Sequence, residues 1–207
     1  MELSRFFESE HRARGVDIRL GVMVDCIEGR DGRVTGVRPA DGTLLPAEMV
    51  IIGIGIVPAV EALIAAGAEG GNGLLVDDQC RTNLPNTTPS GDCAMHANRY
   101  AGSDLVRIES VQNTHDQAAV AVRSILGDPI AYDAVPWFWS NQYDLKLQTM
   151  GLSAGFDATV MRGDPASRSF SVIYLKHGRA SSRSTASMRS ARRTRWLPLG
   201  NCSKIQR

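Results

Sequence analysis

The sequence predicts an α/β fold that gives way, in its last third, to a smaller α+β unit. Three stretches carry that prediction. Residues 43–60, TLLPAEMVIIGIGIVPAV, climb into a run of Ile and Val of the kind that forms a central strand buried on both faces. Residues 109–126 set Val111, Ala118, Val122 and Ile125 at helical spacing, an apolar stripe for a core. From Ala131 the composition turns aromatic and β-branched, in YDAVPWFWSNQYDLKLQTMG and the two strand-like segments after it. With 207 residues, 43% of them hydrophobic, the chain can fill one sizeable core or two small ones.

Taken in order, residues 2–14 place Leu3, Phe6, Phe7 and His11 on one side of a short helix that Gly15 ends. GVDIRLG and VMVDCIEG alternate like strands, RDGR makes a tight turn, and VTGVRPADG adds a further strand and turn before the apolar run. EALIAAG reads as a short helix and LLVDDQCRTN as a strand with a turn. The helix over 109–126 closes at Gly127 and Pro129. DATVMRGD and SFSVIYLKHG are two strands joined by a turn, the start of a small α+β domain that still needs a closing strand and helix.

Several function classes are disfavoured. No apolar run approaches the roughly 20 residues needed to span a bilayer, and MELSRFFESEHR is too charged for a secretory signal, so a cytoplasmic protein without a membrane partner is expected. Cys26, Cys80, Cys93 and Cys202 have no CxxC spacing and no clustered histidines, which suggests reduced structural thiols rather than zinc ligands or disulfides. The net charge of +1 hides an asymmetry: residues 180–207 hold seven Lys or Arg and no acid, leaving 16 basic against 22 acidic residues in 1–179. An Arg- and Ser-rich tail of this kind can serve as a nucleic-acid arm.

Four blocks, VIIGIGIVP, GDCA, RIESVQNTHDQA and VPWFWSNQYDLKLQTMGLSAGFD, stand in order at separations that match a known family. Residues 2 to about 179 resemble the C-terminal half of the flavin-dependent ferredoxin reductases that feed bacterial oxygenases, the putidaredoxin reductase-like group of the pyridine nucleotide-disulfide oxidoreductase superfamily. The resemblance implies a fold with two dinucleotide-binding domains and a small C-terminal reductase domain, and electron flow from NAD(P)H through FAD to a ferredoxin, an iron–sulfur protein. It implies residues 1–57 as the end of the NAD domain with its return strand, 58–130 as the second FAD segment, and 131–179 as an incomplete reductase domain. No GxGxxG occurs; GIGIVP has two of the glycines and lacks the third.

The resemblance also implies site residues. Asp92, after Gly91, is expected at the C-terminal end of a strand, its carboxylate toward the ribityl or diphosphate part of FAD; its residues alone favour an Asp capping a turn. Val111 opens a helix whose N-terminus is expected to aim at the flavin ring and stabilise negative charge there; without the resemblance it is a core valine. Trp139 is expected at the isoalloxazine, where it limits solvent access, the other reading being a packing residue, as Trp137 is. Gly53 and Gly55 would let nicotinamide approach the backbone closely, or simply bend the chain, and Glu109 is the nearest acid to that region. His96, His115 and His177 suggest no acid–base pair, and no catalytic residue is expected because hydride transfer needs none.

Thr88, Pro89 and Ser90 stand where the family has a strand, and two compensating frame errors account for them. Residues 180–207, back-translated with GC-rich codons and shifted by one base, decode to an apolar strand and an Ala-rich helix. The tail is therefore expected to be out of frame and disordered rather than to bind nucleic acid. The expectation for function is a truncated, inactive form of a ferredoxin reductase that neither holds FAD nor oxidises NADH. The alternatives are a noncatalytic, ferredoxin-binding module and, more weakly, a nucleic-acid binder.

Overall fold

The computed structural model describes residues 2–177 and 179–190. The chain divides into two units, Met1–Ile56 and Val57–Arg207.

In the first unit, helix α1 (Glu2–Arg12) is followed by strands β1 (Val24–Arg30), β2 (Arg33–Pro39) and β3 (Leu45–Pro46), which form one antiparallel sheet in that order. The β1–β2 turn is set by local chemistry: Asp31 and Gly32 both have positive φ, at 51° and 75°, the geometry that a two-residue hairpin with right-handed strand twist requires. Phe6 and Phe7 meet edge to face at 5.8 Å on α1, and both are half-buried, as the amphipathic reading expects.

Two expectations for this unit fail. Residues 15–21 form no strand, and the apolar run is not a buried strand: beyond β3 it is irregular through residue 60, with Ile51 88% and Ile54 91% exposed. An Ile/Val run becomes a central strand only when strands on both sides take its N–H and C=O groups. No strand among the described residues pairs with it.

The second unit opens with helix α2 (Glu61–Ala65) and a four-stranded sheet of β4 (Gly70–Gly71), β5 (Gly73–Leu75), β6 (Ala94–Ala97) and β7 (Leu105–Arg107). β5 and β6 run parallel, Leu74 opposite Ala94; the other neighbours are antiparallel. Helix α3 (Val111–Ile125) follows, its first turn closed by the Ser110 hydroxyl accepting the Asn113 N–H at 3.1 Å. Apolar cores form around Val60, Ala68 and Leu74, and around Cys80, Val120 and Ala121.

The expected apolar stripe of α3 is not its buried face. Val111, Val122 and Ile125 are exposed, whereas Asn113, Gln117, Val120 and Ala121 point inward. The helix lies within the 109–126 span that the spacing predicts but is turned about its axis, because its inward amides have hydrogen-bond partners that hydropathy does not register.

Strands β8 (Trp137–Gln142), β9 (Leu145–Met150), β10 (Ala158–Asp164), β11 (Ser169–Lys176) and β12 (Arg179–Ser190) form an antiparallel sheet in the order β10-β11-β12-β9-β8. The disorder expected from residue 180 therefore does not extend over 180–190. β12 lies between β11 and β9, with Phe170 opposite Met188 and Leu147 opposite the same residue from the other side. The physical reason is that residues 179–190 contain no Gly or Pro, and the facing edges of β9 and β11 offer a ladder of unpaired backbone groups. The rest of the tail, 191–207, lies outside the described residues, and with it the remainder of the nucleic-acid and frame-shift expectations.

Candidate functional site

Gly91, Asp92 and Cys93 form a single 3-10 turn that leads into β6. Asp92 is thus placed before a strand and not at the end of one, as Pro89 and its polar neighbours leave residues 84–90 without regular structure. The turn is held from beneath by α3. The Gly91 N–H donates to Gln117 Oε1 at 2.7 Å, and Gly91, at φ +76°, is so close to the helix that a Cβ there would lie 2.8 Å from Thr114 Oγ1. Glycine is required twice over at this position, by conformation and by contact.

The outer side of the same region is open. Asp92 is exposed and its carboxylate has no hydrogen-bond or ion-pair partner among the described residues, so it does not cap the turn. Val111, at the first position of α3, is 63% exposed. Helix geometry leaves the first N–H groups without intrahelical acceptors, so this end presents donors and the positive end of the dipole to solvent. Gln112, next along, has a buried Oε1 with no hydrogen-bond partner among the described residues.

Arg107, the last residue of β7, connects these parts. Its Nη1 donates to the Asp92 carbonyl at 2.8 Å, its Nε to the Asn72 carbonyl at 3.1 Å, and its Nη2 pairs with Glu109 Oε1 at 2.8 Å. Gly91, Asp92, Glu109 and Val111 are thereby brought to one end of α3. Trp139 is 46% exposed on β8, a strand that packs against α3. Gly53 and Gly55 belong to the other unit, in its exposed apolar segment. A Cβ on either would meet nothing within 4 Å, and Gly55 has φ +101°.

Behind the turn is a polar network that sequence reasoning missed. Buried His96 has Nε2 3.0 Å from Asn98 Nδ2 and Nδ1 3.3 Å from Gln117 Nε2, and its ring meets Tyr132 edge-on at 5.0 Å. The Tyr132 hydroxyl donates to Asn113 Oδ1 at 2.8 Å, and Asn113 Nδ2 to the Ile108 carbonyl at 2.9 Å. Burial lowers the His96 pKa and raises that of Tyr132. Burial, and after it Asp77 and Asp78, push the Cys80 thiol up to about 11, which keeps it an inert core group. The available signal was the pair Asn113 and Gln117, four residues apart on one helix face; the Arg107 bracket had none, because its acceptors are backbone carbonyls.

The donor set suits a flavin dinucleotide. An outward helix N-terminus answers an anionic group, a free carboxylate accepts from hydroxyls, and an exposed tryptophan offers an aromatic face. No cluster of three metal-ligating side chains occurs among the described residues.

Both parts of this arrangement have counterparts in known proteins. Residues 1–119 match the family model for pyridine nucleotide-disulphide oxidoreductases, and residues 137–192 that for the reductase C-terminal domain. The combination defines the class: part of a flavoprotein reductase fold with two dinucleotide-binding domains, together with its C-terminal domain. The chain belongs to the pyridine nucleotide-disulphide oxidoreductase family, whose model covers more than half of it. It is 60% identical over 178 residues to the 5,5'-dehydrodivanillate O-demethylase ferredoxin reductase subunit of a Sphingobium species, covering 86% of this chain and 43% of that protein. To the putidaredoxin reductase of Pseudomonas putida it is 42% identical, over 86% of this chain and 42% of the relative. Among solved structures it superposes on a ferredoxin reductase from Rhodopseudomonas palustris with a TM-score of 0.85 at 41% identity, covering 90% of this chain and 46% of that one. The covalent putidaredoxin reductase–putidaredoxin complex gives 0.83 at 39% identity, covering 90% and 44%. The chain spans less than half the length of these relatives.

Proposed function

We propose that this chain is the flavin-facing and ferredoxin-facing part of a cytoplasmic NAD(P)H-dependent ferredoxin reductase, and that by itself it neither retains FAD nor oxidises NADH. The observation that carries the reading is the packing of the Gly91–Cys93 turn on the first turns of α3, which leaves a free carboxylate and a helix N-terminus facing outward together. FAD, when bound, supplies the conversion of a two-electron hydride donor into single electrons for an iron–sulfur protein. Asp92 accepts a hydrogen bond from a cofactor hydroxyl. The N–H groups at Val111 favour negative charge beside them. Trp139 keeps water from the site, and Gly53 and Gly55 leave backbone room for a nicotinamide. The chain on its own has no GxGxxG turn to cradle a pyrophosphate.

The test has two parts. The purified chain, mixed with excess FAD and desalted, is expected to be colourless. Joined behind the segment that precedes the matched region in the Sphingobium relative, it is expected to become a yellow protein that NADH bleaches and that reduces a small ferredoxin. In that assembled protein Trp139→Ala should slow ferredoxin reduction more than reduction of a small dye. A folded but colourless assembly would overturn the flavin reading, and a stoichiometrically yellow isolated chain would overturn the proposed dependence on a preceding segment.

The aromatic edge strand β8, with Phe138 and Trp139 exposed, favours the second reading, a noncatalytic ferredoxin-binding module. Under it the isolated chain retains ferredoxin on a column while the assembly stays flavin-free.

A further inference from the structure

A charged side chain that is 7% exposed, as Arg107 is, must satisfy its donors internally. Arg107 does so with three partners from three segments: the carbonyl of Asn72, the carbonyl of Asp92 and the carboxylate of Glu109. Room for it is built into β5. Gly73, at φ +117°, lies against the arginine stem, and a Cβ there would be 2.9 Å from Arg107 Cδ. A larger residue at 73 would expel the side chain that ties the three segments together.

We propose that Arg107 is the positioning residue of the cofactor-facing end. One rigid planar group fixes the Asp92 turn against the start of the 109–111 segment and cancels the charge of Glu109, so that Asp92 alone presents an uncompensated carboxylate there. A lysine cannot replace it, since a compact ammonium on a flexible stem does not reproduce the fixed spacing of the Nε, Nη1 and Nη2 donors that reach the two carbonyls and the carboxylate. The proposal rests on the reading of Asp92 and Glu109 as cofactor-facing. It goes further in assigning their spacing and charge balance to a residue that does not itself reach the cofactor.

Two readouts test it. In the full 207-residue chain, Arg107→Met and Arg107→Lys are each expected to speed amide hydrogen exchange about tenfold in residues 72–74 and 91–94, while the β8–β11 ladders exchange as before. Unchanged exchange in those two segments overturns the bracket. If Arg107→Met loosens the whole unit, Arg107→Lys decides, because it keeps the charge and most of the stem. In the assembled reductase, Arg107→Met is expected to weaken flavin binding about tenfold, and adding Glu109→Gln to restore part of that loss by removing the stranded carboxylate. A merely structural arginine would not be rescued in this way, so absence of rescue overturns the charge-balancing role. Faster local exchange with unaltered flavin affinity overturns the assignment of the bracket to the cofactor end, and with it the placement of Asp92 and Glu109.

Discussion

His96 is held between two amide groups whose orientation is fixed by other bonds. Asn98 Oδ1 takes the Tyr100 N–H at 2.8 Å and Gln117 Oε1 takes the Gly91 N–H at 2.7 Å, so both amides turn their NH2 groups toward the ring. The neutral imidazole accepts from one of these amides through its unprotonated nitrogen, an acceptor that protonation would remove, and burial lowers its pKa. The unfolded chain binds that proton near pH 6.5. Between the lowered folded value and about 6.5 the unfolded state carries more protons, so stability is complete above pH 6.5 and falls as the pH drops below it. Thermal unfolding followed from pH 7.5 to 5 should show this decline, and His96→Gln should flatten it. Gln117, fully buried, ties the Gly91 turn to His96. Gln117→Leu strands the Gly91 N–H and one face of His96, and should cost about 2–4 kcal/mol in urea unfolding. A loss below about 1 kcal/mol would mean the network is not needed to hold the turn.

At the scale of the element, α3 turns the amides Asn113 and Gln117 inward beside Val120 and Ala121, and leaves Val111, Val122 and Ile125 exposed. Val122 and Ile125 were expected to be core and are more than half exposed. Replacing both with Ser or Lys should therefore change stability by no more than about 0.5 kcal/mol each, whereas Val120→Ala, in the Cys80–Ala121 core, should cost about 1–3 kcal/mol. The contrast, read from denaturation midpoints, separates the two possible orientations of the helix. The C-terminal sheet makes a related point, because β12 pairs on both sides while β8 and β10 are the edges.

For the whole molecule, the exposed segment from Met49 to Val57 is the largest departure from expectation. Met49, Ile51, Ile52, Ile54 and Val57 are all exposed, and no strand among the described residues pairs with their backbone. Apolar, β-prone chain with open hydrogen-bonding groups templates association. Ile51→Lys together with Ile54→Lys should therefore lower self-association of the purified chain, measured by sedimentation across a concentration series, without lowering its melting temperature. A fall in melting temperature instead would show that these side chains are buried in solution. Among the described residues no helix is long and apolar enough to cross a membrane.

The sequence by itself determined the features whose causes are local. Asp31-Gly32 makes the β1–β2 hairpin, Gly127 ends α3, and DATVMRGD and SFSVIYLKHG supply β10 and β11, because each depends on residues a few positions apart. The four motif blocks likewise made the family legible. Only the tertiary structure decided which face of α3 is inward, what holds the Asp92 turn, and that Arg179–Ser190 is a paired strand. Those outcomes depend on partners far along the chain: Gln117 reaches back 26 residues to Gly91, and Arg107 reaches 15 to Asp92 and 35 to Asn72. A buried polar group goes where its hydrogen bonds can be met, and hydrophobic periodicity is blind to where those partners lie.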